Sequence, residues 1–211
     1  MPRLLELFSG TGSVGRVFEQ AGWEVVSVDI EAKFNPTICC SILDIPLDKW
    51  PPKYFDVIWA SPVCKEYSIA HTSNERNLLD GNRLALYALH LIDALQPRLF
   101  WLLENPASGL LKTRPFMEAL PYVDTSYCMY GFPYRKRTRI WNNVPGLELL
   151  NCDGHCPAMV THASGKRGHR TSAHKGPSRG NDTDVCYRSE DLYRIPPALV
   201  STLLHAIEAA M

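Results

Sequence analysis

Leu4-Leu5-Glu6-Leu7-Phe8-Ser9-Gly10-Thr11-Gly12-Ser13-Val14-Gly15 decides the fold. Leu4 to Phe8 reads as a short apolar strand, and Ser9 to Ser13 as a glycine-rich turn. A helix follows, with Val14, Val17, Phe18 and Ala21 at spacings of three and four and Gly22 closing it. The next strand, Val25 to Val28, ends at the acid Asp29. Gly10-x-Gly12-x-x-Gly15 between strand and helix, with Asp29 one strand later, matches the fingerprint of a nucleotide-binding turn. Small residues let backbone N–H groups approach a ligand there, and Asp29 or Glu31 can accept hydrogen bonds from ribose hydroxyls. Taken alone, the loop suits any adenosine-containing cofactor, nicotinamide and flavin dinucleotides included. The alternative is a tight turn without a ligand.

The chain continues in the same alternation. Strand ends are expected at Ile42-Leu43-Asp44 and over Asp56 to Ala60. A helix is expected from Gly81 to Gln96, carried by Leu84, Ala88, Leu91 and Leu95. Further strands are expected at Leu99 to Leu103, near Tyr127 to Tyr130, and from Thr138 to Asn142. This pattern predicts an α/β fold with a doubly wound, mainly parallel sheet. Two of the strands stop at polar punctuation: Ser61-Pro62-Val63-Cys64 and Glu104-Asn105-Pro106. A thiol and a carboxylate on one sheet rim suggest covalent catalysis with a proton donor nearby. A packed structural cysteine is the alternative for Cys64.

The 211 residues carry no net charge, so nucleic-acid affinity must come from local charge. The seven cysteines are odd in number and irregularly spaced. With no signal-like N-terminus and no membrane-length apolar run, they read as free thiols of a soluble intracellular protein. Residues 1–150 are expected to form the catalytic core, 151–190 a small irregular excursion, and 191–211 a segment and helix returning to the core. Asn151 to Asp184 is poor in large apolar residues and is expected to be mobile or ordered by a ligand. Lys166, Arg167, Arg170, Lys175 and Arg179 give it a patch suited to phosphates. Cys152-x-x-x-Cys156 with His155, His162, His169 and His174 could bind zinc, but the spacing departs from common finger patterns, and the expected site contains no metal. Pro196-Pro197 precedes a helix with Leu199, Leu203 and Ile207 on one face.

Several of these segments, in order, resemble the motifs of the DNA (cytosine-5) methyltransferases. Glu6 to Gly12 looks like their opening motif, and Ser61-Pro62-Val63-Cys64 resembles their Pro-Cys nucleophile loop. Tyr67-Ser68 and Asp80-Gly81-Asn82-Arg83-Leu84 resemble the remainder of that loop. Glu104-Asn105-Pro106 is similar to Glu-Asn-Val, and Gly131-Phe132-Pro133 with Arg137-Thr138-Arg139-Ile140-Trp141 to the Gln-x-Arg-x-Arg segment. The resemblance spans residues 3 to 142, with a weaker match in the C-terminal helix. Val63 stands where the family has Pro, the Gln of the basic segment is absent, and Arg194-Ile195-Pro196-Pro197 lies where a Gly-Asn pair is usual.

What the resemblance implies is specific. The fold would be a Rossmann-like S-adenosylmethionine-dependent methyltransferase, with the excursion as a minimal target-recognition region. Cys64 would add to C6 of cytosine, making C5 nucleophilic, and positive charge nearby should lower its pKa. Glu104 would protonate or hydrogen-bond N3, its pKa raised by an apolar site. Arg137 and Arg139 would contact O2, or orient Glu104 and the phosphate, whereas Arg135 and Lys136 read as a solvated basic stretch. The cofactor set would be Phe8, Gly10, Thr11, Gly12, Asp29, Ile30, Glu31, Asp44, Ile45 and Pro62, with Asp29 or Glu31 on the ribose and Asp44 on the adenine amino group. The base must leave the duplex to reach Cys64. DNA is the expected partner and RNA fits the same motifs; no membrane partner is expected, and the oligomeric state stays open. A silent accessory protein would not need both Cys64 and Glu104, and a nicotinamide dehydrogenase leaves both without roles.

Overall fold

The computed structural model describes residues 1–69, 75–162, 164–171, 176–177, 186–187 and 189–211. Seven strands form one sheet: β1 Arg3–Leu7, β2 Glu24–Asp29, β3 Ile38–Cys39, β4 Val57–Ala60, β5 Phe100–Pro106, β6 Tyr122–Ser126 and β7 Arg137–Asn142, in the order β3-β2-β1-β4-β5-β7-β6. All neighbours are parallel except β7, which is antiparallel to both β5 and β6. The order reverses between β1 and β4, which opens a crevice at their carboxyl ends.

Successive side chains of a strand face opposite ways, and the cores follow that parity. Leu4, Val57, Trp59, Leu102 and Ile140 pack with α1 (Gly15–Gln20) and the C-terminal helix Pro197–Ala209. Leu5, Leu7, Ile58, Ala60, Leu103 and Trp141 pack on the other face with α2 (Leu78–Leu95) and the short α3 (Pro115–Glu118). Two layers of helices on a mainly parallel sheet make the fold doubly wound. Helix α2 starts a turn before the sequence predicts, because the Asn77 side chain caps it by accepting from the Asp80 N–H. It ends where Gln96 turns left-handed before Pro97.

Two expected strands are different. Tyr127–Tyr130 is a 3₁₀ turn ended by the left-handed Gly131, and the strand lies just before it at Tyr122–Ser126. Ile42–Asp44 is likewise a 3₁₀ turn, held by the Ser41 hydroxyl accepting from the Leu43 N–H; β3 precedes it. In both places an apolar run is too short for periodicity to separate a tight turn from a strand.

Beyond the sheet, β8 (Met159–Thr161) and β9 (Arg167–His169) pair as a small antiparallel hairpin. A second two-stranded pair joins β10 (Gly176–Pro177) to β11 (Cys186–Tyr187), and α4 (Ser189–Tyr193) leads to the C-terminal helix, α5. No described helix is long and apolar enough to cross a membrane.

The β1–α1 junction contains a buried acid. Glu6 accepts from the Gly15 N–H at 3.0 Å, and burial pushes its pKa up from 4.5 to about 8. A methyl group on Gly15 would sit 2.6 Å from Glu6 Oε2. Gly15→Ala should therefore lower unfolding stability by about 1–3 kcal/mol in denaturant titrations. Because the folded protein holds the Glu6 proton more tightly than the unfolded chain, stability falls as pH rises from 4.5 towards 8. Glu6→Gln should remove that component, which thermal melts across this window will show.

Candidate active site

The glycine loop is shaped from within. Gly10 and Gly12 have positive φ, and Phe8, a non-glycine residue, also sits at φ 59° at the end of β1. The Asp29 carboxylate accepts from the Gly10 N–H at 2.7 Å and from the Glu31 N–H at 2.8 Å. Asp29 thus pins the loop to the end of β2. Glu31 is exposed beside Lys33, and Ile30 leaves 68% of its surface open on the same rim. Thr11 bonds Ser13 through their hydroxyls. Asp44 is exposed at the turn after β3, while Ile45 and Pro62 are buried. All ten residues lie at or after the carboxyl ends of β1 to β4.

Cys64 lies half-buried just beyond β4. Its loop is tied down at three points. The Ser61 N–H donates to the Leu7 carbonyl, the Tyr67 N–H to the Cys64 carbonyl, and Asn105 Nδ2 to the Pro62 carbonyl at 2.8 Å. Tyr67 is fully buried and its hydroxyl donates to Asn82 Oδ1. These anchors restrain the loop although Val63, 51% exposed, stands where a proline was expected.

Glu104 is buried on the β5 face that carries Leu102, and the Tyr127 hydroxyl donates to its Oε1 at 3.2 Å. Burial, with the Glu104 charge adding to it, holds the Tyr127 pKa well above 10, so the phenol keeps its proton and remains a donor. Sequence reasoning missed Tyr127; only the register of the finished sheet brings it beneath Glu104.

The cation at this site is also unexpected. Glu104 pairs with Ile140 and Asn105 with Arg139, so Arg139 points to the opposite sheet face from Glu104. Its guanidinium forms a two-pronged pair with Asp124 at 2.7 and 3.0 Å and stacks 3.5 Å from the Tyr122 ring centroid. Arg139 therefore does not orient Glu104, contrary to expectation. Arg137 is exposed at the rim, 4.0 Å from Asp124. Lys136 faces the site instead: Nζ lies 4.9 Å from the Tyr127 ring centroid, donates to the Leu192 carbonyl, and acts electrostatically on Cys64. It is not a freely solvated residue.

No protein-family model matches this chain. A probable DNA (cytosine-5)-methyltransferase of Frog virus 3 (isolate Goorha) is 33% identical over 220 residues, covering 96% of this chain and 98% of that protein. The chain belongs to the DNA (cytosine-5)-methyltransferase family. The crystal structure of S. pombe Dnmt2 methyltransferase superposes with a TM-score of 0.52 at 15% identity, over 71% of this chain and 52% of that one. A prophage-encoded candidate DNA modification methyltransferase from E. coli gives 0.51 at 20% identity, over 67% and 46%. This methyltransferase spans about half the length of those two solved chains, and the likeness to them is one of fold, the Rossmann-like sheet already described.

One electrostatic expectation is corrected. Burial pushes the Cys64 thiol above its ordinary value of 9, the Lys136 charge pulls it down, and the Glu104 charge pushes it up again. Without a substrate the methyltransferase holds this cysteine as a thiol. Site-resolved alkylation followed by mass spectrometry should show Cys64 reactivity still rising above pH 9. Lys136→Met should move that rise to higher pH and Glu104→Gln to lower pH.

Proposed function

We propose that this chain transfers a methyl group from S-adenosylmethionine to C5 of cytosine in DNA, through a covalent bond between Cys64 and C6 of a base flipped out of the duplex. The observation that carries the reading is the convergence of Cys64, Glu104 and Lys136 where β4 and β5 end, bridged by the Asn105–Pro62 hydrogen bond. The Cys64 thiolate would donate an electron pair to C6 while Glu104 hydrogen-bonds or protonates N3, so that charge pushed into the ring is neutralised as it forms. Tyr127 holds one Glu104 oxygen and leaves the other for the base. Lys136 supplies the positive charge that favours the thiolate once substrate has displaced water. Arg137, exposed at the rim on the Asp124 side with Arg139, would meet a phosphate rather than the base. Arg139 fixes the strand through Asp124 and is a positioning residue.

The crevice would take S-adenosylmethionine, which the methyltransferase family implies in general. Positive φ at Gly10 and Gly12 turns the loop back on itself; a Cβ at Gly10 would meet only the Phe8 carbonyl, at 4.0 Å, and one at Gly12 the end of the Arg16 side chain, at 3.6 Å. Phe8 and the open Ile30 offer apolar surface for adenine, with Ile45 and Pro62 behind. Asp29 is already engaged with two backbone amides, so Glu31, paired with the exposed Lys33, would be the acceptor for the ribose hydroxyls, and Asp44 would take the adenine amino group. When bound, the cofactor supplies an electrophilic methyl group. Residues 151–190, with Lys166, Arg167 and Arg170 exposed among the described residues, would meet the nucleic acid; Lys175 and Arg179 lie outside the described residues.

Incubation with labelled S-adenosylmethionine should give methyl transfer to duplex DNA and none to structured RNA. Cys64→Ser should abolish transfer, and Glu104→Gln should lower kcat about 10²–10⁴-fold. A 5-fluorocytosine oligonucleotide should trap an adduct at Cys64. Transfer to RNA alone would move the substrate class. Activity surviving in Cys64→Ser would sink the covalent step, and no transfer to either polymer would favour an accessory role.

A further inference from the structure

The excursion after residue 150 is poor in large apolar side chains, yet its described residues Cys152, Cys156, Ala158 and Met159 pack into a small core. That core consists of Cys128, Cys152, Cys156 and Ala158, flanked by Met129 and Met159. The three cysteines are buried and free. Cys152 Sγ lies 3.4 Å and Cys156 Sγ 3.3 Å from His169 Nε2, and the four potential ligand atoms of Cys128, Cys152, Cys156 and His169 all fall within 4.8 Å of one another. The geometry points to a structural zinc site made by Cys128, Cys152, Cys156 and His169.

Each part of the surroundings agrees with that assignment. Zinc takes four N/S ligands as a tetrahedron with Zn–S about 2.3 Å and Zn–N about 2.0–2.1 Å, which sets ligand–ligand edges of roughly 3.5–3.8 Å. The two S···N distances lie just short of that range and the 4.8 Å spread of the set lies beyond it, so the ligands close into a tetrahedron by shifts of about an ångström. The Gly154 N–H, in a turn with φ 99°, donates to Cys152 Sγ at 3.4 Å, and a backbone donor of this kind favours a thiolate. The Met159–His169 pairing of the hairpin brings His169 back beside Cys156. On binding, the three thiols release their protons to water and neutral His169 donates a lone pair from Nε2. The occupied site then has one surplus negative charge, and Arg135, whose Nη2 donates to the Cys152 carbonyl at 3.1 Å, stands beside it.

The sequence spacing hides this set because one ligand comes from the catalytic core. Cys128 belongs to the 3₁₀ turn after β6, next to Tyr127. The histidines sort accordingly: His169 is inside, His155 is exposed with Asp153, and His162 packs under Gly168. His174 lies outside the described residues. A closed set of four protein ligands leaves no open position, so the ion's role is to clip the β8–β9 hairpin, with Lys166, Arg167 and Arg170, to the sheet.

Metal analysis of the full chain, purified without chelator or affinity tag, should give one zinc per chain, released when a mercurial reagent titrates the thiols. Cobalt substituted into the wild-type chain should show the visible bands of a tetrahedral ion and thiolate-to-cobalt charge transfer in the near ultraviolet. Cys128→Ala and His169→Ala should each lose the zinc, whereas Cys39→Ala keeps it. The cobalt spectrum decides the matter even if a variant fails to fold. Reduced thiols without metal, a Cys152–Cys156 disulfide, an octahedral cobalt spectrum, or zinc retained in a folded Cys128→Ala/Cys156→Ala chain would each overturn the assignment. None of these readouts depends on methyl transfer.

Discussion

Asn105 Nδ2 reaches across the sheet rim to the carbonyl of Pro62, 2.8 Å away and out of contact with water. That bond joins the end of β5 to the loop after β4, and so sets the acid against the thiol. Its donor occupies the residue after Glu104, on the opposite face of the same strand. The parity of one strand therefore lets Glu104 serve the chemistry while its neighbour locks the loop. Val63 would leave that loop freer than a proline would; Asn105 and the Tyr67 turn take up the restraint. The bond pairs one end of a buried amide, whose other end, Asn105 Oδ1, has no partner among the described residues, so losing it would leave the whole side chain unpaired.

The electrostatics of the rim belong to a protein waiting for substrate. Cys64 is held as a thiol by burial, with Lys136 as the opposing influence. Tyr127 is locked as a donor to Glu104. Below them, Glu6 is kept protonated near neutrality under the glycine loop, where a charged carboxylate would lack water. Three ionisable groups are thus biased toward their neutral forms, which leaves Glu104 as the acid whose charge Cys64 and Tyr127 both feel.

Much of this was legible in the sequence. The alternation of strands and helices, the glycine loop, and the thiol and acid at two strand ends follow from local pattern, because each is written within a few adjacent residues. What escaped reading needs register or distance. Whether Lys136 or Arg139 faces Glu104 depends on how β7 pairs with β5, and a one-residue difference of parity reverses it. Tyr127 looked like part of a strand because an aromatic, apolar run of four residues suits either state. Of the thiol cluster, Cys152, Cys156 and His169 stood out in the sequence; Cys128 did not, because it lies far along the chain from Cys152, and counting large apolar residues undervalues a core made of sulfur.

The antiparallel strand β7 carries a consequence for the way the chain is made. Strands β1 to β5 can pair as soon as they are synthesised, but the outer edge of β5 is closed only when Leu102 meets Asn142 and Pro106 meets Thr138. Until then the growing chain presents an unpaired, largely buried-type strand, while β6 is already available and runs in the wrong sense to take the place of β7. The interval between Ser126 and Asn142 is therefore the period in which the nascent protein is most open to mispairing with its own β6 or with another chain.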